Sequence, residues 1–171
     1  NGRSAEEFDP KSSVTVGEAL KLILLAAGKE EQAPTGGHWA SGYLDFARAA
    51  GCLPSSLSDG LDRPILRKEA AELAARAIGF GQSFAASPFV DSNSGYATAL
   101  YEIDVINGIT ERGESHFYPD KTLTRAEIST IVWRLYSVAA LEKTQTATFK
   151  IGSKTHSLEG LADVPLNHYG I

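Results

Sequence analysis

The sequence predicts an all-α protein, a bundle of repeated helix–loop–helix units followed by a short β-hairpin-like segment near the C-terminal end. Three observations carry this reading. FDPKSSVTVGEAL, Phe8 to Leu20, aligns without a gap on FYPDKTLTRAEIS, Phe117 to Ser129, and matches at Phe, Pro, Thr and Glu. Ordinary residue frequencies give about one identity in such a pair, so the chain repeats itself. Glu18, Glu69 and Glu127, separated by 51 and 58 residues, each open a helical pattern, and Trp39 precedes Gly51 by the same twelve positions by which Tyr96 precedes Gly108.

Taken in order, the pattern predicts helices near 14–27, 38–50, 65–79, 94–107 and 124–140. In the first, Leu20, Leu22, Ile23, Leu24 and Leu25 are apolar nearly all round, which suits the centre of a bundle. The second carries Tyr43, Phe46 and Ala47 and ends at Gly51, where the residue after a helix takes a positive φ. The third, from Glu69 to Ile78, is alanine-rich, favouring helix and close interhelical approach. The fourth carries Leu100 and Ile103 and is expected to end at Gly108. In the fifth, Ile128, Ile131, Val132 and Leu135 fall at i, i+3, i+4 and i+7. The helices starting at 14, 65 and 124 are expected together at the centre. Each full unit thus reads as an aromatic residue, a short helix, glycine, a loop and a long helix. The loop ends in Phe-x-Pro in units one and three and in Asp62-Arg63-Pro64 in unit two. After them, Thr146 to Ser157 alternates around a Gly-Ser turn as a hairpin does.

Thr15-x-x-Glu18 and Thr124-x-x-Glu127 have the spacing of capping boxes, in which the hydroxyl accepts from the N3 amide and the glutamate reaches back to the N-cap amide. Unit two has Leu66 in place of threonine, so Asp62 or Ser58 is expected to cap that helix and its start to be the least regular. Arg67 and Arg125 follow the N-cap positions, where a cation opposes the helix dipole. That cost, met twice, points to a ligand role: an arginine beside open helix amides makes an anion site.

Composition excludes several classes. Sixteen Lys and Arg against 21 Asp and Glu leave a net charge of −5 with no basic cluster, which disfavours nucleic acid. The longest apolar piece, Leu20 to Ala27, is far short of the roughly 20 residues of a membrane span. The single cysteine, Cys52, forbids an intrachain disulfide and reads as a small buried apolar residue. The chain opens on Asn1 rather than Met, which points to an excised or cleaved fragment and leaves a removed signal peptide open.

Tyr96, Asn107-Gly108-Ile109, Phe117-Tyr118-Pro119-Asp120 and Leu123-Thr124-Arg125-Ala126-Glu127, with Phe89-Val90-Asp91 upstream, resemble the S-layer homology (SLH) repeat, whose hallmark is the ITRAE-like helix start. About two and a half repeats are covered, near 8–28, 38–80 and 89–140, within a helical domain of residues 1–142. Unit one has Val16 at the arginine position. The resemblance implies a pseudo-threefold all-helical bundle with the three long helices at its centre. It implies an exported bacterial protein anchored non-covalently at the cell surface through grooves between repeats, which bind secondary cell-wall polysaccharide, often carrying pyruvate ketals. Arg125 and Arg67 would bind the anionic sugar, with Trp39, Tyr96, Asp91 and Gly108 completing the site. A guanidinium suits this, being planar, bidentate and always charged. The alternative is a degenerate SLH-like domain that has lost sugar binding and acts as a scaffold or protein-interaction module. In the segment 143–171, Leu161 to Tyr169 resembles the opening of a further repeat, expected to lie beside helix 14–27 if it completes unit one. The hairpin resembles the start of a copper-amine-oxidase N-terminal-like module, a place for a protein partner.

Other chemistry is less well supported. His38, His116, His156 and His168 lack metal-ligand spacing; His38 and His168 each precede an aromatic and read as structural. Asp91 to Glu102 has a calcium-loop outline, but Gly95 comes one place early and the later positions fall in a helix, so Asp91 or Ser94 reads as a cap. Carboxylates are numerous, and Asp104 with Glu127 or Glu102 could in principle be a glycosidase pair, but nothing fixes their separation. No nucleophile elbow, P-loop or dinucleotide fingerprint occurs. Neither an enzyme nor a bound cofactor or metal is expected.

Overall fold

In a computed structural model of the chain, residues 9–58, 60–144, 147–151 and 154–158 are described, with side chains as far as residue 140. Among them are five α-helices, α1 (Val16–Ala26), α2 (Ser41–Ala49), α3 (Arg67–Ala77), α4 (Gly95–Glu102) and α5 (Arg125–Thr144). A short 3₁₀ turn spans Ser55–Leu57. Two antiparallel strand pairs complete the inventory: β1 (Ile109–Glu111) with β2 (Glu114–His116), and β3 (Ala147–Ile151) with β4 (Lys154–Leu158). The expected hairpin is therefore present as β3 and β4, while its Gly-Ser turn lies outside the described residues.

α1 packs along both α3 and α5, with α2 laid on α1 and α4 on α3. The nearly all-round greasiness of α1 is thereby used: Ala19, Leu20, Ile23 and Leu24 are completely buried. Each such leucine or isoleucine contributes about 1.5–3 kcal/mol relative to exposure.

The segments entering α1, α3 and α5 are tied in a closed ring. Val14 N–H donates to Leu123 O (2.9 Å), Leu123 N–H to Ile65 O (3.1 Å), and Ile65 N–H back to Val14 O (3.0 Å). The three side chains are buried beneath this ring. Beyond it, the first two amides of each helix are also taken. Val16 and Gly17 donate to Arg63 O and Leu61 O, Arg67 and Lys68 to Lys121 O and Pro119 O, and Arg125 and Ala126 to Ser12 O and Pro10 O. Each helix start is thus capped by the entry loop of a neighbour. A residue with positive φ turns each loop into position: Asp9 (φ 40), Gly60 (φ 69) and Tyr118 (φ 54). For a bulky tyrosine that conformation is strained.

Capping corrects one expectation. Thr15 and Thr124 form complete boxes with Glu18 and Glu127. α3 has only half, Glu69 Oε2 accepting from Leu66 N–H (3.0 Å). Neither Asp62 nor Ser58 caps it; Asp62 faces His38 instead. The start is nevertheless regular, with Leu66 at φ −85, ψ 152 against Thr15 at φ −80, ψ 162. The ring fixes the backbone there, so the missing hydroxyl is not decisive.

Helix ends correct another. α1, α2 and α3 end in Schellman turns with Gly28, Gly51 and Gly79 at positive φ. α4 was expected to reach 107 and end at Gly108, but it stops at Glu102, and Asp104 (φ 59) takes the left-handed place. Its amide donates to Tyr101 O and that of Val105 to Leu100 O, the same turn without glycine. Gly108 serves close approach instead: a Cβ there would collide with Ser115 Oγ and the Phe89 ring. The loop after it folds into β1–β2 across Arg112 and Gly113, both at positive φ, as a two-residue hairpin turn requires.

Candidate functional site

Between α1 and the start of α5 lies an open groove of about 460 Å³, lined by Val14, Glu18, Lys21, Leu22, Trp39, Arg125, Ile128 and Ser129. Its cation, Arg125, comes from the first turn of α5; the ring that aligns α5 with α1 brings its Nη1 within 3.7 Å of Glu18 Oε1. Its aromatic wall is Trp39, 46 % exposed, which lies against the His38 ring. His38 sets that wall in place: Nδ1 accepts from Ala40 N–H (3.1 Å), and Nε2 lies 3.1 Å from Asp62 Oδ1. Lys21 adds a second cation. Its Nζ donates to Glu31 (2.7 Å) and lies over the Tyr43 ring, and the bond to Glu31 raises its pKa. An exposed indole beside a guanidinium and an ammonium can stack on an apolar face and bind an anion at its edge.

The helix amides do not contribute as expected. The N1 and N2 amides of α5 are spent on Ser12 O and Pro10 O, and the N3 amide on Thr124 Oγ1. Any anion recognition here belongs to side chains.

The arginines and glutamates form a chain of contacts from helix to helix. Arg67, from α3, donates through Nη1 to Glu127 Oε1 of α5 (3.2 Å), and Arg125 of α5 approaches Glu18 of α1. Val16 occupies the matching position of α1, and Glu69 is instead gripped at both oxygens by Arg63 of its own entry loop (2.7 and 2.8 Å). Arg67, expected to bind the sugar, is buried and held by protein groups. It is 7 % exposed, its Nε donates to Phe117 O (2.6 Å), and its guanidinium lies over the Phe117 ring. Burial depresses its pKa despite Glu127 and Asp91 nearby. The groove it borders is about 230 Å³, lined on one side by Val105, Ile106, Asn107 and Ile109.

Three further expected site residues lie elsewhere. Tyr96 packs at the α4–α3 contact, its ring under the Arg76 guanidinium at 5.3 Å. Asp91 binds no helix start; Ser94 caps α4, accepting from Ala97 N–H (3.3 Å). The Asp91 carboxylate accepts from Phe117 N–H (2.7 Å) and Tyr118 N–H (2.8 Å), steadying the strained loop. Burial pushes its pKa up, but those two amides outweigh it and the net shift is downward. Glu102, the last position of the calcium-loop outline, accepts from Ser83 Oγ instead. Gly108 has the packing role given above. Asp91 also edges a groove of about 510 Å³ with Glu69, Glu72 and Asp120, three carboxylates that are paired with Arg63, Arg76 and Lys68.

Cys52 is buried, 4 % exposed, and burial raises its thiol pKa. The sequence reading missed Lys21, which sits one turn after Glu18 and so faces the same groove. It also missed Trp133 and Tyr136, 69 % and 56 % exposed on α5, which line an apolar extension of the groove with Leu22, Leu25, Ala26 and Val132. An aromatic at i and i+3 on a central helix was the available signal. Among the described residues no helix is long and apolar enough to cross a membrane. No protein-family model matches the chain, and no curated protein matches it.

Proposed function

We propose that this chain is an SLH-like module, built on pseudo-threefold repetition, that holds an exported bacterial protein at the cell surface by binding an anionic secondary cell-wall polysaccharide. The groove between α1 and α5 is the binding site, and the observation that carries the reading is the pairing of an exposed indole, Trp39, with Arg125 and Lys21 along one open cleft. The ring through Val14, Leu123 and Ile65 supports the repetition. Arg125 takes the polymer's carboxylate, as in a pyruvate ketal, while Trp39 stacks on a sugar face; no catalytic step is involved.

A second reading has its own support. Val16 stands at one arginine position and Arg67 is buried against Glu127, so a single groove keeps an accessible cation of this set. A module reduced to one weak site, or to scaffolding, would have this pattern.

Titration with purified wall polymer, intact and stripped of its acidic substituents, separates the two. The anchor reading expects binding that disappears on stripping and weakens in Arg125→Ala by about tenfold to a hundredfold. Wild-type chain that ignores the intact polymer favours the scaffold.

A further inference from the structure

The groove that holds Arg125 does not end at its charged residues. Leu22 and Ser129 line both that cleft and a second cavity of about 500 Å³, so the two are continuous. On α5, Arg125, Ser129, Trp133 and Tyr136 follow at intervals of four, four and three residues, which keeps them on one face. From Arg125 to Tyr136 is about 16 Å of helix, long enough for several sugar units. The aromatic pair also departs from the repeat. With Glu18, Glu69 and Glu127 aligned, Trp133 stands where α1 has Leu24 and α3 has Ala75, both completely buried. The repeat asks for an aliphatic side chain turned inward, and α5 has instead an indole that is 69 % exposed, with Tyr136, 56 % exposed, about one turn further on. Such a pair adds little to stability, and an exposed apolar patch of this kind marks a contact surface. The place beside α1 expected for Leu161 to Tyr169 holds α2, and those residues themselves lie outside the described ones.

We propose that this aromatic face is a second set of sugar subsites, along which a run of neutral sugars next to the acidic unit lies with Trp133 and Tyr136 stacked on successive pyranose faces. The inference rests on the polysaccharide reading above and adds the length of the ligand: an oligosaccharide stretch rather than one acidic end group. Three observations select this occupant over a second copy of the chain. The face is continuous with the cleft of Arg125 and Trp39, so a polymer whose carboxylate sits at Arg125 has this face as its path out. Trp133 and Tyr136 are about 4.5 Å apart along the helix axis, close to the advance of one pyranose along a chain. No charged residue lines the second cavity, which suits the C–H faces and acyl groups of neutral sugars rather than further carboxylates. Ser129 Oγ, which donates to Arg125 O (2.7 Å), keeps its lone pairs for a sugar hydroxyl at the join between the two cavities.

The test is an NMR titration of the full chain with purified wall polymer and with size-fractionated acidic oligosaccharides released from it. Trp39 and Trp133 are the two tryptophans, so two indole N–H signals, assigned with Trp39→Phe and Trp133→Phe, report on the two cavities separately. Polymer should shift both signals, and the shortest acidic fragment only that of Trp39. Trp133→Ala should weaken polymer binding by about threefold to tenfold and leave the shortest fragment unaffected, with Tyr136→Ala acting in the same direction. A Trp39 signal that responds to polymer while Trp133 stays unmoved, or an equal loss for short and long ligands in Trp133→Ala, would overturn the proposal and leave the anchor reading standing. Neither signal moving would overturn both. Concentration-dependent self-association that Trp133→Ala abolishes would assign the face to a second copy and overturn the proposal as well.

Discussion

Arg67 Nη1 lies 3.2 Å from Glu127 Oε1, joining the first turn of α3 to the first turn of α5 across sixty positions of sequence. The same oxygen accepts from Lys121 Nζ at 3.1 Å, while Oε2 completes the capping box. One glutamate thus serves as local cap and as interhelix clasp, and the arginine that helix physics discourages at N1 is stabilised by a neighbour's carboxylate.

Arg67→Ala should therefore unfold the protein more easily, by about 2–4 kcal/mol, because it leaves a half-buried carboxylate with fewer partners and Phe117 O without its donor. Denaturant titration measures it. A loss below about 0.5 kcal/mol, the usual surface range, would show that the clasp is incidental.

Arg125→Ala should cost about 1 kcal/mol, since its side chain is only 16 % exposed and faces Glu18 at 3.7 Å. Its larger effect should be on polymer binding, with Arg125→Lys recovering little because an ammonium lacks the planar fork. Glu127→Ala should lower stability more than Arg125→Ala and binding less. Calorimetry and thermal melts on the three variants would show a reversed order if Arg125 is purely structural.

Acid should weaken the fold in a defined window. Glu69 and Glu127 are pushed upward by burial, yet Arg63 and Leu66 N–H outweigh this for Glu69, as do Thr124 and Lys121 for Glu127, leaving both below the ordinary value of 4.5. Asp91 is likewise below 3.8. Between folded and unfolded pKa the unfolded chain binds more protons, so these contributions are present above about pH 4.5 and lost as pH falls through the folded values. Glu69→Gln and Glu127→Gln should flatten the fall in stability below that pH. An unchanged slope would remove both groups from the acid transition.

Asp104→Gly should stabilise by about 0.4–1 kcal/mol, because the position holds φ 59 at the end of α4, where the other Schellman turns use glycine. A destabilised variant would mean that the Asp104 side chain makes a compensating contact.

The sequence alone determined the elements and their internal logic. Apolar spacing placed all five helices within a few residues of their observed bounds except at the end of α4, where an aspartate stands in for the glycine that normally signals a stop. Thr-x-x-Glu gave two capping boxes because that contact closes within one turn, and the alignment of Phe8–Leu20 on Phe117–Ser129 pointed to segments that prove to exchange hydrogen bonds. What only the tertiary structure decided was the use of the charged residues. Arg67 and Arg125 share a motif position, yet one is buried against Phe117 and Glu127 and the other lines an open groove, because the loop after α4 borders the first cleft and Trp39 the second. Likewise the helix amides that looked available are taken by carbonyls from loops dozens of residues away. A local pattern specifies which groups a turn must satisfy; which distant carbonyl or carboxylate does so depends on the packing of the three helix starts into one ring.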